Sequence, residues 1–183
     1  MSGRRICLML AVVGQLFLFA QPMDPAPSVF DGFPIPPASK NLLFYIQRNK
    51  NANTILYEAQ FDADGRLAAK DPVKVNWIRY TNGARYEPIS LLESNIAYGV
   101  RHKHTTEGVA WMRFVASDRY PFRVEVDGTG QAMAHMFING HYARLERAEI
   151  HAKEDSFWPK ILYVDLFGTE VLTGKEVMER AYP

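Results

Sequence analysis

Cysteine is almost missing from this chain: Cys7 is the single thiol in 183 residues. It lies inside an N-terminal apolar run, so the remainder has none. That excludes a disulfide framework, a thiolate metal site and a cysteine nucleophile in the body of the protein. The core must therefore hold the fold, and about 160 residues can bury roughly 70% of their unfolded surface. No Asn-x-Ser/Thr acceptor occurs, so N-glycosylation is not implied. Basic blocks are lacking too. The 21 Lys and Arg face 20 Asp and Glu, and two of the basic residues, Arg4 and Arg5, sit in the N-terminal head. Without clustered cations to neutralise phosphates, nucleic acid is not an expected partner. Also absent are a nucleophile elbow, a phosphate-cradling glycine loop and a metalloprotease helix. No cofactor and no catalytic residue is assigned, and the balance favours a protein that is not an enzyme.

What is present begins with "MSGRRICLMLAVVGQLFLFA": a basic head, then an apolar run from Ile6 to Ala20. This is the layout of a signal peptide at residues 1–20, which predicts an exported, periplasmic or secreted protein of a bacterial envelope. The run falls short of the roughly 20 residues that span a bilayer, so no membrane span is expected after cleavage. Residues 21–40 carry six of the eleven prolines and read as an extended tether. Residues 41–183 read as one domain.

In that domain the dominant period is two. "LLFYIQR" and "TILYEAQ" form strands around "NKNAN", where Asn49, Asn51 and Asn53 serve the turn. "VKVNWIRY", "IAYGVRHKH" and "VAWMRFVA" follow. Asp-Gly and Asn-Gly then mark the hairpins of a three-strand meander that ends in "HYARLERAEI". "ILYVDLFG" and "EVMERAY" complete the set. "EPISLLES" is the one credible helix, starting at Pro88, with Ile89, Leu91 and Leu92 as its apolar side. The expectation is an all-β fold: an antiparallel barrel or sandwich of eight or nine strands in meander connectivity, with one short helix. "DADGRL" begins like a calcium loop but lacks the later ligands, so Asp62, Asp64 and Gly65 read as turn.

Period two also sorts the arginines. Phe44, Ile46 and Arg48 share a face, as do Val73, Val75, Trp77 and Arg79. Val109, Trp111, Arg113 and Val115 form a third row, and Tyr142, Arg144, Glu146, Ala148 and Ile150 a fourth. A guanidinium between apolar neighbours points inward, where it needs a partner. Internal carboxylates such as Glu58, Glu146 or Asp165 would satisfy it. Alternatively Arg48, Trp77, Arg79, Tyr98, Trp111, Arg113 and Arg144 line a cavity for a small anionic or amphipathic ligand. A weaker metal set is His102, His104 and Glu107 in "HKHTTEG".

"LFYIQRNKNANTILYEA", "PVKVNWIRY", "AYGV", "ILYVDLFG" and "GKEV", spread over Leu42 to Val177, resemble the bacterial domain-of-unknown-function family numbered 4833. The resemblance implies one exported domain without an assigned activity, and it carries over no catalytic residue. A lipocalin-like shape is compatible with the strand count, but the Gly-x-Trp expected near the first strand of that family is missing. Two functional expectations follow. One is a β-barrel-like domain that binds a small ligand; the other is an envelope module that binds another protein.

Overall fold

A computed structural model describes residues 32–48, 52–80, 83–153 and 159–183. The proposed signal peptide, most of the proline-rich tether, Asn49 and Asn51 lie outside the described residues. The chain is all-β. Its strands are β1 (Leu42–Arg48), β2 (Thr54–Ala59), β3 (Val73–Arg79), β4 (Arg85–Pro88), β5 (Val100–Thr106), β6 (Val109–Phe114), β7 (Ser117–Val126), β8 (Ala132–Ile138), β9 (His141–Lys153), β10 (Lys160–Glu170) and β11 (Glu176–Ala181), with one helix, α1 (Leu91–Ile96). Eleven described strands form one curled, mostly antiparallel sheet, where the sequence predicts eight or nine. Part of the difference is β4, a four-residue edge strand whose closing Pro88 reads from sequence as a helix start.

The long strand β9 organises the sheet. Arg144 pairs with His135 of β8 on one edge and Thr169 of β10 on the other; Arg147 likewise pairs with Tyr45 of β1 and Phe167 of β10. β8 and β1 therefore sit end to end along one edge of β9, and β10 runs along the opposite edge. The β1–β9 pairing is parallel. Two antiparallel arms diverge from this point, β1-β2-β3-β4 and β8-β7-β6-β5. An uninterrupted meander, the connectivity expected from sequence, is broken by that parallel junction.

The arms close on an apolar interior. Phe44 stacks on Tyr57 at 4.3 Å between ring centroids, and Phe44 meets Phe122 of the other arm edge-on at 5.5 Å. Phe114 packs against Phe122 at 4.9 Å. These side chains, with Ile55, Leu145, Val124 and Ile138, fill the space between the arms. Turns fall where the chemistry places them. Asn139 and Gly140 both take positive φ, as a two-residue hairpin requires. Asp62 Oδ1 accepts from the amides of Asp64 and Arg66, so "DADGRL" is a turn.

Two of the period-two rows need correction. In β6 the buried residues are Ala110 and Met112, opposite Val124 and Phe122; Trp111 is 39% exposed and Arg113 faces solvent. The Val109–Val115 row is thus the outer face, and Ala110, Met112 and Phe114 between its members pack on the interior. In β9 a bulge intervenes: Gly168 pairs with Leu145, and Phe167 with Arg147, leaving Glu146 as the extra residue. Ala143 and Leu145 point inward before the bulge and Ala148 after it. One row from Tyr142 to Ile150 therefore does not exist. Glycine is required opposite the bulge: a Cβ on Gly168 would lie 2.3 Å from the Arg144 carbonyl oxygen and 2.8 Å from Ile138 Cδ1.

Candidate functional site

Four of the seven residues expected to line a cavity meet at one end of the first arm, beneath α1. Trp77 and Tyr98 are edge-on at 5.5 Å, and the Arg79 guanidinium lies over the Trp77 ring at 4.6 Å. Arg48 hydrogen-bonds the Tyr98 side chain. Arg79 is paired with Glu87 of β4 and stands 4.0 Å from Glu93 of α1. Burial raises the Tyr98 phenol, while the Arg48 charge draws it down. The remaining three lie elsewhere. Trp111 stacks with His104 outside the sheet, Arg113 binds Asp118 at 2.9 Å, and Arg144 binds Glu146 at 2.8 Å.

This cluster is a mount for α1. Ser90 caps the helix and forms a capping box with Glu93: the Glu93 amide donates to Ser90 Oγ at 3.2 Å, and the Ser90 amide donates to Glu93 Oε2 at 2.8 Å. Burial pushes the Glu93 carboxyl up, but hydrogen bonds from Ser90, with the Arg79 charge, help hold it below its usual range. Beyond the helix, Tyr57 anchors the next segment by donating to the Tyr98 carbonyl at 2.7 Å. Gly99 is tight against the helix end, since a Cβ there would lie 1.8 Å from the Ser94 carbonyl oxygen.

The helix is mounted with its polar side inward. Glu93 meets the sheet, whereas Leu91 is 85% exposed, Leu92 61% and Ile96 50%, and no residue of α1 is buried. The apolar side expected from sequence exists, but only Ile89, just before the cap, packs on the core. Tyr86, on the preceding edge strand, is also exposed. Solvent-facing leucines at successive outward positions of one helix form a patch rather than scattered exposure.

The histidine set from sequence does not assemble. A bulge separates His102 from His104 in pairing with β6; His102 bonds Thr105, and Glu107 sits exposed in the turn with φ 51°. A different polar cluster, which the sequence reading missed, lies on the outer face of β9 and β10. Glu149 and Asp165 are direct cross-strand partners, and His151 Nε2 stands 3.5 Å from Asp165 Oδ2. Arg180 of β11 donates to both Asp165 oxygens at 2.8 Å, and Arg147 donates to Glu149 at 3.1 Å. Arg147, Glu149 and His151 alternate along β9, and the unbroken register from Phe167↔Arg147 to Tyr163↔His151 sets Asp165 beside them on one face. Alternation in "RAEIH" and "YVDLF" sorts these residues onto a face, but no local pattern records that the two strands pair or in which register.

A shallow groove of about 260 Å³ opens where β1 and β8 diverge, with Tyr45, Met133 and Arg144 among its walls. No helix among the described residues is long and apolar enough to cross a membrane. The family model described as a domain of unknown function (DUF4833) matches residues 44–180. No curated protein and no solved structure matches the chain.

Proposed function

We propose that the chain, which belongs to the DUF4833 family, is an exported interaction module that binds a partner protein through the outward face of α1. One observation carries this reading. The helix turns Glu93 to the sheet and Leu91, Leu92 and Ile96 to solvent, the reverse of an ordinary surface helix. Burying a leucine contributes about 1.5–3 kcal/mol, and the free chain forgoes this at two leucines. The filled interior and the paired arginines support the same reading, because they leave the predicted aromatic–arginine set as a scaffold for the helix. The exposed Arg85, paired with Glu87 on the strand that precedes the helix, suits a partner with an apolar centre and polar edge. Export is supported by the basic head and apolar run at residues 1–20.

The test is site-specific photocrosslinking in the intact producing cell, with the probe at Leu92 and a control probe at Leu172, which is equally apolar and 89% exposed. A discrete adduct from Leu92, in the envelope fraction and absent from Leu172, supports the proposal. No adduct, or the same adducts from both positions, overturns it. A second reading places a small anionic or amphipathic ligand in the groove between β1 and β8, favoured by Arg144 in its wall. Native mass spectrometry of the chain purified without denaturation tests it: a bound mass that Arg144→Ala removes supports that reading, and a bare chain refutes it.

A further inference from the structure

The cluster on β9 and β10 brings three buried ionisable side chains together. Glu149 is 2% exposed, Asp165 4% and His151 9%, on a sheet face that elsewhere carries exposed charge. One ligand atom from each of the three lies within 4.8 Å of the other two. We propose that Glu149, His151 and Asp165 form a binding site for a single divalent transition-metal ion of the zinc or manganese class.

The donor set is the first argument. Two carboxylate oxygens and one imidazole nitrogen are ligands that Zn²⁺ and Mn²⁺ share, at about 2.0–2.2 Å from the metal. Donors around such an ion stand about 3–3.5 Å apart, given those bond lengths. The observed 3.5 Å between His151 Nε2 and Asp165 Oδ2 already meets that spacing. The third donor, within 4.8 Å of the others, needs to close by at most about 1.3–1.8 Å, which a glutamate side chain reaches by rotamer adjustment.

Preorganisation is the second. Glu149 and Asp165 are register partners on adjacent strands, so the backbone fixes their separation. The His151 ring is stacked on Tyr163 at 4.1 Å, which holds the imidazole edge towards the carboxylates.

The third argument concerns the two arginines. Two buried carboxylates this close need positive charge, and Arg180 and Arg147 now provide it. Both guanidiniums also lie flat on aromatic rings, Arg180 on Tyr163 at 4.0 Å and Arg147 on Phe167 at 3.9 Å, and both side chains are about one-third exposed. Each can swing from its carboxylate towards water while keeping contact with its ring. They hold the ligands in place until the ion takes over their charge.

The experiment uses the full chain stripped with a chelator and titrated separately with ZnCl₂ and MnCl₂ by isothermal calorimetry and thermal melting. The expected result is one ion per chain and a Tm rise of about 5–10 °C at a hundredfold excess over Kd. Asp165→Asn and His151→Gln should lose at least tenfold in affinity, and His102→Gln with His104→Gln should lose none. Arg180→Met should bind at least as tightly as the parent. Because Asp165 also anchors Arg180, the double variant Asp165→Asn/Arg180→Met keeps the test open if the single variant does not fold. No binding by the parent chain, or binding that only the His102/His104 pair abolishes, overturns the proposal and leaves a buried ion-pair network.

Discussion

Tyr57→Phe removes one oxygen atom from the most buried aromatic ring and reports on the joint between the first arm and the segment after α1. The phenol is fully buried, and burial raises its pKa well above the usual value, so it remains a neutral donor. Its partner is the Tyr98 carbonyl at 2.7 Å, on the chain leaving α1. A hydrogen bond of this kind contributes about 1 kcal/mol net, and leaving the carbonyl without its donor raises the cost to about 1–3 kcal/mol. The ring stays, so stacking on Phe44 and the contact with Phe114 are retained. For a chain of this length each kcal/mol lowers Tm by about 2–4 °C. Taking about 2 kcal/mol as the centre of that range, Tm should fall by about 4–8 °C, with urea m unchanged. Differential scanning calorimetry beside urea denaturation measures both. A variant with parental Tm would refute the claim that this hydroxyl ties the segment after α1 to the core, and a changed m would show that the unfolded or folded ensemble had altered instead.

Gly168→Ala forces a methyl group against the Arg144 carbonyl and Ile138, and should cost about 1–3 kcal/mol by calorimetry; parental stability would refute the bulge geometry. Arg113→Ala breaks an exposed pair with Asp118 and should change stability by less than about 0.5 kcal/mol, whereas a loss of several kcal/mol would restore the inward reading of that row. His135 gives a pH dependence. Burial lowers its pKa, Glu125 pulls it up, and Arg123 and Arg144 add to the lowering, with Tyr142 stacked on the ring. A folded pKa below the unfolded value near 6.5 means the unfolded chain binds the extra proton. The contribution is therefore complete above about pH 6.5 and is lost as pH falls through the folded value. Urea titrations at pH 7.5 and 5.5 should show the parent losing more stability than His135→Gln; equal losses would contradict the assignment.

Much of the fold was legible because alternation and turn chemistry are local. "LLFYIQR" is β1 from end to end, and the Asn-Gly turn is where the sequence puts it. The parallel β1–β9 junction was not legible, since no local pattern records which edge a distant strand takes. Bulges account for the misread rows. One extra residue at Glu146 reverses every later side chain, so Arg144 and Arg147, three positions apart, reach the same face. Arg48, Trp77, Arg79 and Tyr98 lie together although the rows that hold the arginines are on different strands and Tyr98 belongs to none, so their meeting was not legible locally. Their partners Glu87 and Glu93 come from β4 and α1, which the sequence had merged into one helix.

The most direct test of the central claim pairs stability with contact in one variant, Leu91→Gln/Leu92→Gln, carrying the photocrosslinker at Ile96. Leucines that face solvent for the sake of a partner add little to the folded chain. The account predicts a Tm within about 2 °C of the parent, on the scale of ordinary surface substitutions, together with loss of the partner adduct. A Tm drop of 5 °C or more, on the order of a buried-leucine effect, would show that these side chains serve the fold. An unchanged adduct would show that the partner binds elsewhere, and either result would contradict the account.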